Sequence, residues 1–468
     1  MALWLEWFRC VLDLRPACSR ARTFLWMSLA LLGLSVRAEW AGVTSVVRAV
    51  GLNAGTYPKL LHLFHTAGLA VDRLTECWVG VARRRFTPLR VGERLVLVAD
   101  GLKIPKEGRK MPAVKNLHQE STNNSKPLFI AGHSCQAVAL LVLGPLGQVF
   151  AVPLASRIHE GVVFSNRDRR SLLDKLIELL TPLTRWLDSP VVLVADAYYA
   201  SRKIAAPLLD QGHHLVSRIR RNTVAYRPPP PASQQRRGRP RLYGEKLKLK
   251  DLWNDRARFR SAQSVIPGEH RVRIHYRSED LLWRPIGRLV RFVWIDHPQR
   301  GRLLLMTTDR TLDPLQVLVL YNYRFRIEVS FKQALNTVGT YAYHFWMMDM
   351  IPRRRGAGDQ YLHRTAGDYR RLVRRKLDAY HRAIQLGCIA QGLLQHLALN
   401  RRKEVWKHFR SWMRTMNPAA PPSEAVVAEA LRGSLQNFLL SVPDAHALKK
   451  FVLENADQER CPAVRSTG

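Results

Sequence analysis

LVLVAD, residues 95–100, and VVLVAD, residues 191–196, decide how this chain is read. Each is a run of apolar residues, mostly branched, and each closes on a lone aspartate. A strand that is apolar at every position has both faces covered, as central strands of an α/β sheet do. The two carboxylates stand out against the rest of the chain. Its 468 residues carry 74 Lys and Arg against 37 Asp and Glu, a formal charge of +37. Such an excess opposes compaction unless something anionic binds. Nucleic acid is the first candidate, because a basic groove gains affinity by releasing phosphate counterions. An anionic membrane surface is second, and a ribosome-type packing protein third, though such proteins are usually short.

Working outward, QAVALLVLG (136–144), QVFAVPLASRI (148–158) and HHLVSRIRR (213–221) read as strands. SLLDKLIELLTPLTRWL (171–187) and SRKIAAPLLDQG (201–212) read as helices. A meander followed by strand, helix and strand describes an α/β core. The four consecutive prolines of RPPPPASQQRRGRPRLYGEK (227–246) cannot join a ladder, so this stretch is an exposed linker. Its RGRPR centre resembles an AT-hook, which makes Arg237, Arg239 and Arg241 candidate DNA contacts, general phosphate contact being favoured over sequence reading. RVRIHYR (271–277), RLVRFVWID (288–296) and RLLLMTT (302–308) form a β-rich insertion, several of its strands alternating basic with apolar residues, that would turn arginines toward nucleic acid.

Residues 1–90 read as a helical DNA-binding region. GVTSVVRAVGL (42–52) and TYPKLLHLFHTAGL (56–69) flank a turn and fit either a helix-turn-helix or a small bundle. FLWMSLALLGL (24–34) is too short to span a bilayer and reads as a buried helix, and no terminal helix is basic and long enough to anchor the chain to a membrane. The expected order is residues 91–222 for the first part of the core, 223–310 for the linker and insertion, 311–350 for the second part, and 351–468 for a basic helical region. The six cysteines are scattered, with no CxxC pair, so neither a zinc ribbon nor a disulfide framework is indicated.

Asp100 and Asp196 are each expected at the C-terminal end of a parallel-type strand, the edge where α/β sheets build sites. If the strands are neighbours, the carboxylates repel unless a cation sits between them. A hard divalent ion, Mg²⁺ or Mn²⁺, suits such oxygen ligands. Glu328 in YNYRFRIEVSFK is the candidate third ligand. Arg324 and Lys332 are each four residues from it, and Tyr321 is seven away, so all share one helix face. One acid among Tyr, Arg and Lys suits a phosphate better than a core, although an aspartate at a strand end is often only a cap.

These residues resemble the DDE transposases of bacterial insertion sequences, and more narrowly the branch with a Tyr-x2-Arg-x3-Glu-x6-Lys signature. Tyr321, Arg324 and Glu328 fit its first three positions; Leu335 holds the last, with Lys332 one turn earlier as a substitute. GRKMPAVKNLHQESTNNSKPLFIAGH (108–133) and ADAYYAS around Asp196 extend the resemblance, which covers about residues 90–350. It implies an RNase H-like catalytic core interrupted by a β-rich insertion and flanked by helical regions. It implies Asp100, Asp196 and Glu328 as the catalytic, metal-holding acids, with two ions between them, cleavage at transposon ends and strand transfer. It implies double-stranded DNA as partner, a homodimer in the synaptic complex, and a bacterial cytoplasmic, nucleoid-associated protein. Trp294 stands where relatives stack a flipped base, a packed strand tryptophan being the other reading. Lys103, Lys106 and Lys110 are expected to touch phosphate, and His118 and Gln119 to orient it or to cap their loop. The competing readings are an RNase H-fold nuclease without strand transfer and an inactive protein that only occupies transposon ends.

Overall fold

The structure is a computed structural model, described over residues 1–119, 127–230, 241–411 and 417–457. Its centre is the strand that carries Asp100, Arg94–Pro105. The Asp196 strand, Val191–Ala195, lies parallel to it, and His214–Arg218 lies parallel to that in turn. On the other side Phe129–Leu143 runs antiparallel to the Asp100 strand and carries Val149–Ile158 and Lys115–His118. The expected meander is therefore present, with Phe129–Leu143 starting seven residues before the expected strand 136–144.

The β-rich segment is continuous with this sheet. Gly301–Thr307 pairs antiparallel with His214–Arg218, and Arg288–His297, Arg273–Trp283, Val224–Tyr226 and Lys246–Lys248 follow outward. Hydrogen bonding across His214–Arg218 makes these strands and those around Asp100 one sheet, so no open edge is left there.

Alternation along the central strands divides the interior in two. Leu95, Leu97 and Ala99 join a large core made with the helices. Val96 and Val98 point the other way, into a smaller core with Val192, Val194, Val317, Leu320 and Ile327. The helices of that second core are Pro314–Tyr323 and Phe325–Gln333. Asp313 caps the first, accepting from Leu315 N at 2.8 Å, with Pro314 at the first helical position, where a missing N–H costs nothing.

The terminal regions form a single helical body. Its hub is Gly367–Asn400, whose first turns are basic and largely exposed and whose second half is almost wholly buried. It packs on Val149–Ile158 and on Ala21–Val36, Thr56–His65, Val71–Arg85 and Glu424–Ser441. The apolar 24–34 stretch lies buried in Ala21–Val36, as expected. No helix among the described residues is long and apolar enough to cross a membrane.

Two expectations are corrected. The chain is not helical from residue 351: residues 351–366 are irregular apart from Gln360–Tyr361, which pairs with Val162–Val163, and a short turn at Leu362–Arg364. Pro352, Gly356 and Gly358 lie in that stretch, and such residues oppose a helix however basic their neighbours are. Asp100 does not end its strand. The strand continues to Pro105 because Phe129–Leu143 keeps pairing with it after the parallel ladder to the Asp196 strand has stopped at Val98.

Candidate active site

Register brings the two aspartates together. Val98 faces Val194 across the parallel ladder, so two residues on, Asp100 and Asp196 are level with each other. Both keep the parity of Val96, Val98, Val192 and Val194, and so both point to the face covered by Pro314–Gln333. Asp196 follows its strand directly. Its carboxylate accepts from Tyr198 N at 2.9 Å, and its carbonyl accepts from Ser217 Oγ at 2.7 Å, which pins it to the next strand. Asp100 accepts from its neighbour Gly101 N at 2.8 Å.

From the facing helices comes the third acid. Between Tyr323 and Phe325 the helix tightens: Arg324 N bonds Tyr321 O at 3.1 Å and Ile327 N bonds Arg324 O at 3.1 Å, spacings of three residues. Arg324 stays in the right-handed helical region at this step and reaches across. One guanidinium nitrogen donates to Asp100 Oδ2 at 3.0 Å, and the other donates to Glu328 Oε1 at 2.7 Å. Arg324 therefore bridges an acid on the sheet and an acid on the helix.

The electrostatics agree with the geometry. Burial pushes the Asp100 carboxyl up to about 6, the charges of Asp196 and Glu328 add to the rise, and Gly101 N–H and Arg324 oppose it. Burial works against the charge on Arg324, but Asp100, Tyr321 and Glu328 outweigh it and hold the guanidinium above its ordinary range. Burial raises the Tyr321 phenol, and Asp196 is among the charges it feels. The expected Tyr–Arg–Glu face is thus turned toward both aspartates.

A cleft of about 620 Å³ opens beside the aspartates. His118, Gln119 and Lys103 line it with them. His118 is exposed, its ring 5.1 Å from Phe129, and Gln119 Nε2 donates to Pro127 O at 3.1 Å, so that side chain helps close its own loop. Lys103 is exposed and donates to His118 O at 2.5 Å. Sequence reasoning missed Tyr199, which is buried in the same wall; burial drives its phenol far up, and Asp100 and Asp196 add to the rise. Its only signal was its place in ADAYYAS, three residues after Asp196.

Other candidates fall elsewhere. Trp294 is fully buried, donates from Nε1 to Leu249 O at 2.9 Å, and carries Arg277 5.7 Å from its ring, so the base-stacking expectation is corrected: no face of it is open. Lys106 is also corrected. It is buried over the Tyr343 ring at 3.9 Å and donates to Tyr341 O and Tyr343 O, and burial brings its pKa down to about 8. Lys110 donates to Met348 O at 2.9 Å and keeps partial access to solvent. Lys332 is exposed on the Glu328 helix, and Leu335 is exposed one turn later. Arg241 is exposed, close before the outermost strand of the sheet and many strands from the acids. Arg237 and Arg239 lie outside the described residues.

Asp100, Asp196 and Glu328 offer only carboxylate oxygens, a donor set suited to a hard divalent cation. Burial and mutual repulsion already oppose full ionisation at Asp100, and Arg324 supplies a positive charge between two of the three. The residues fit such an ion. They are not drawn tight around one point: among the described residues, the three potential ligands whose donor atoms all lie within 4.8 Å of one another are Glu6, Cys10 and His396.

Among solved structures, the chain is similar to a piggyBac transposase in a synaptic complex with hairpin DNA, at 12% identity and a TM-score of 0.38, covering 93% of this chain and 77% of that one. No curated protein matches. The family of DDE superfamily endonucleases matches residues 13–270, starting well before the stretch that the sequence resemblance covered and ending before Glu328. That match takes in more than half of the chain together with both aspartates, and the chain belongs to the DDE superfamily endonuclease family.

Proposed function

We propose that the chain is a DNA transposase that cuts at the ends of a mobile element and joins the freed 3′ end to target DNA, with Asp100, Asp196 and Glu328 as its catalytic acids on an RNase H-like core. The observation that carries this reading is the register of the two aspartate strands, which puts both acids level on one face, with Arg324 tying Asp100 to Glu328. Two in-register parallel strands, an antiparallel partner and an acid on a covering helix are the arrangement that an RNase H-like core requires.

Asp100, Asp196 and Glu328 would hold divalent metal, Mg²⁺ or Mn²⁺. Bound there, the metal supplies charge stabilisation at the phosphoryl oxygens and lowers the pKa of the attacking hydroxyl. The protein's own residues orient the strand. Arg324 sits where a cation can meet a phosphate oxygen once the acids are occupied, and Tyr321 backs it. Lys332, exposed one turn after Glu328, takes the place of the lysine in the Tyr-Arg-Glu-Lys branch. The chain's charge of +37 gives the grip on duplex DNA that this chemistry needs.

The test is cleavage of duplex DNA bearing the element's own ends, with Mg²⁺ or Mn²⁺, by wild type and by Asp196→Asn. The expected result is metal-dependent nicking by wild type alone, with end binding equal in both, followed by joining of the nicked end to a second duplex. Equal nicking by both proteins would remove Asp196 from catalysis. Nicking without joining would reduce the enzyme to an RNase H-fold nuclease, and binding without nicking by either would leave a protein that only occupies DNA ends.

A further inference from the structure

Single exposed apolar side chains are ordinary, but several large ones exposed along one short segment mark a surface that something covers. Here three do so together. Trp346 is 64% exposed, Met348 81% and Ile351 84%. They belong to the segment that follows the Glu328 helix, in which residues alternate in and out: Tyr343, Phe345 and Met347 are buried, and Trp346 and Met348 face out.

The segment is fixed by hydrogen bonds to its neighbour. It lies against residues 106–111, the continuation of the Asp100 strand. Met347 N bonds Lys110 O at 2.9 Å, Lys110 Nζ donates to Met348 O at 2.9 Å, and Arg353 N bonds Arg109 O at 2.8 Å. Gly108 permits the close approach: a Cβ there would lie 2.6 Å from Met111 Sδ and 3.2 Å from Trp346 Nε1. A projection is thus built from the ends of the two elements that carry Asp100 and Glu328.

Its surroundings are basic. Arg109, Lys110, Arg353, Arg354 and Arg355 flank the apolar tip, against Glu107 and Asp349. Apolar residues with basic neighbours are what a protein uses to wedge into a DNA base step while holding the phosphates on either side. We infer that Met348 and Ile351 form a wedge, with Trp346 as its base, that enters the minor groove of duplex DNA and kinks it. The inference rests on the proposal that DNA is the substrate. The physical use of the kink is to turn the scissile strand toward the acids, since bent DNA wraps more protein surface.

The experiment measures the end-to-end distance of a doubly labelled duplex by energy transfer, and the fluorescence of 2-aminopurine placed along it. Asp196→Asn is compared with Asp196→Asn carrying Met348→Ser and Ile351→Ser. The parent should shorten the duplex and brighten 2-aminopurine at one step. The variant should bind within about threefold of the parent, because the arginines remain, and should neither bend nor unstack the duplex. In an otherwise wild-type background the pair should slow nicking by about tenfold, and a mismatch at the wedged step, which is already unstacked, should restore most of it. Both substituted side chains are exposed, so an unchanged thermal melt is expected, and Met348→Ser alone serves should the pair unfold. Bending and unstacking at the parent's level in the variant would overturn the wedge and leave the catalytic reading intact. A fall from dimer to monomer in light scattering, with bending unchanged, would make the patch a surface for a second copy and equally overturn it. Failure of both proteins to bind DNA would remove the wedge and the proposed function together.

Discussion

The carboxylate–arginine cluster around Glu6 and the one around Arg324 differ in what is left to do. Around Glu6 everything is satisfied. Its carboxylate accepts from His396 Nε2 at 3.0 Å and from Arg401 at 3.1 Å, with Arg85 and Arg9 at 3.7 and 3.5 Å. Asn400 donates to His396 Nδ1 at 3.0 Å, which leaves the proton on Nε2 to face Glu6. Cys10, the third donor nearby, is a thiol pushed up to about 12 by burial. The compactness that makes this set resemble a metal site comes from its own hydrogen bonds. Asp100, Asp196 and Glu328 are looser: an open cleft lies beside the two aspartates, and one arginine ties Asp100 to Glu328. Close donors mark a saturated structural network here, and spaced, partly exposed donors mark the proposed catalytic site.

The sharpest way to break that comparison is to neutralise one acid in each cluster. Glu328→Gln should cut metal-dependent cleavage by about a thousandfold with a nearly unchanged melting temperature. Glu6→Gln should leave cleavage alone below the melt and cost about 3 kcal/mol in urea unfolding, since a buried pair loses one partner. Swapped outcomes would exchange the roles of the two clusters.

The arginines give a second, smaller contrast. Arg324→Ala should slow cleavage by about a hundredfold, the scale for losing a donor aimed at developing charge. Arg401→Ala should cost about 1 kcal/mol of stability, because the residue is about a third exposed, and nothing in turnover.

pH separates the clusters by sign. Burial holds His396 below its ordinary value, and hydrogen bonds from His396 and Arg401 outweigh burial to hold Glu6 below its own. The unfolded chain takes up those protons first, so this cluster loses stability as pH falls below about 6.5 and further through the carboxylate range. Asp100 is raised to about 6, so the folded state binds its proton more tightly, and stability falls as pH rises from about 4 to 6. Without added metal, Asp100→Asn should therefore exceed wild type in stability by about 1 kcal/mol at pH 7 and by little at pH 4. Melts of wild type, Asp100→Asn and Glu6→Gln across that range test both signs. The smallest effect belongs to Lys332→Ala, an exposed cation, where a loss of about threefold in cleavage that fades with added salt is expected.

Much of the site was legible in sequence. Uniform apolar runs announced buried central strands, and each aspartate broke its run at the same offset. The i, i+4 spacing of Arg324 and Glu328 put them on one face, and their ion pair follows from it. Trp294 and Lys106 were not legible. Strand alternation leaves open which face is covered, and Trp294 lies under Leu249 and Arg277, residues far from it in sequence. Lys106 looked like one more surface cation, but two carbonyls and the Tyr343 ring, more than 200 positions away, satisfy its charge in the interior.

By itself the sequence determined which segments become strand and helix near the site and which acids stand out, because those properties depend on periodicity and on neighbours within a few residues. Only the tertiary structure decided that Asp100 and Asp196 are level, that Arg324 spans sheet and helix, that the β-rich segment continues the sheet of the Asp100 strand, and that the two terminal regions make one body around Gly367–Asn400. Those outcomes depend on register and on which face meets which partner. They are set by contacts across tens to hundreds of residues, where no local pattern in the chain carries the information.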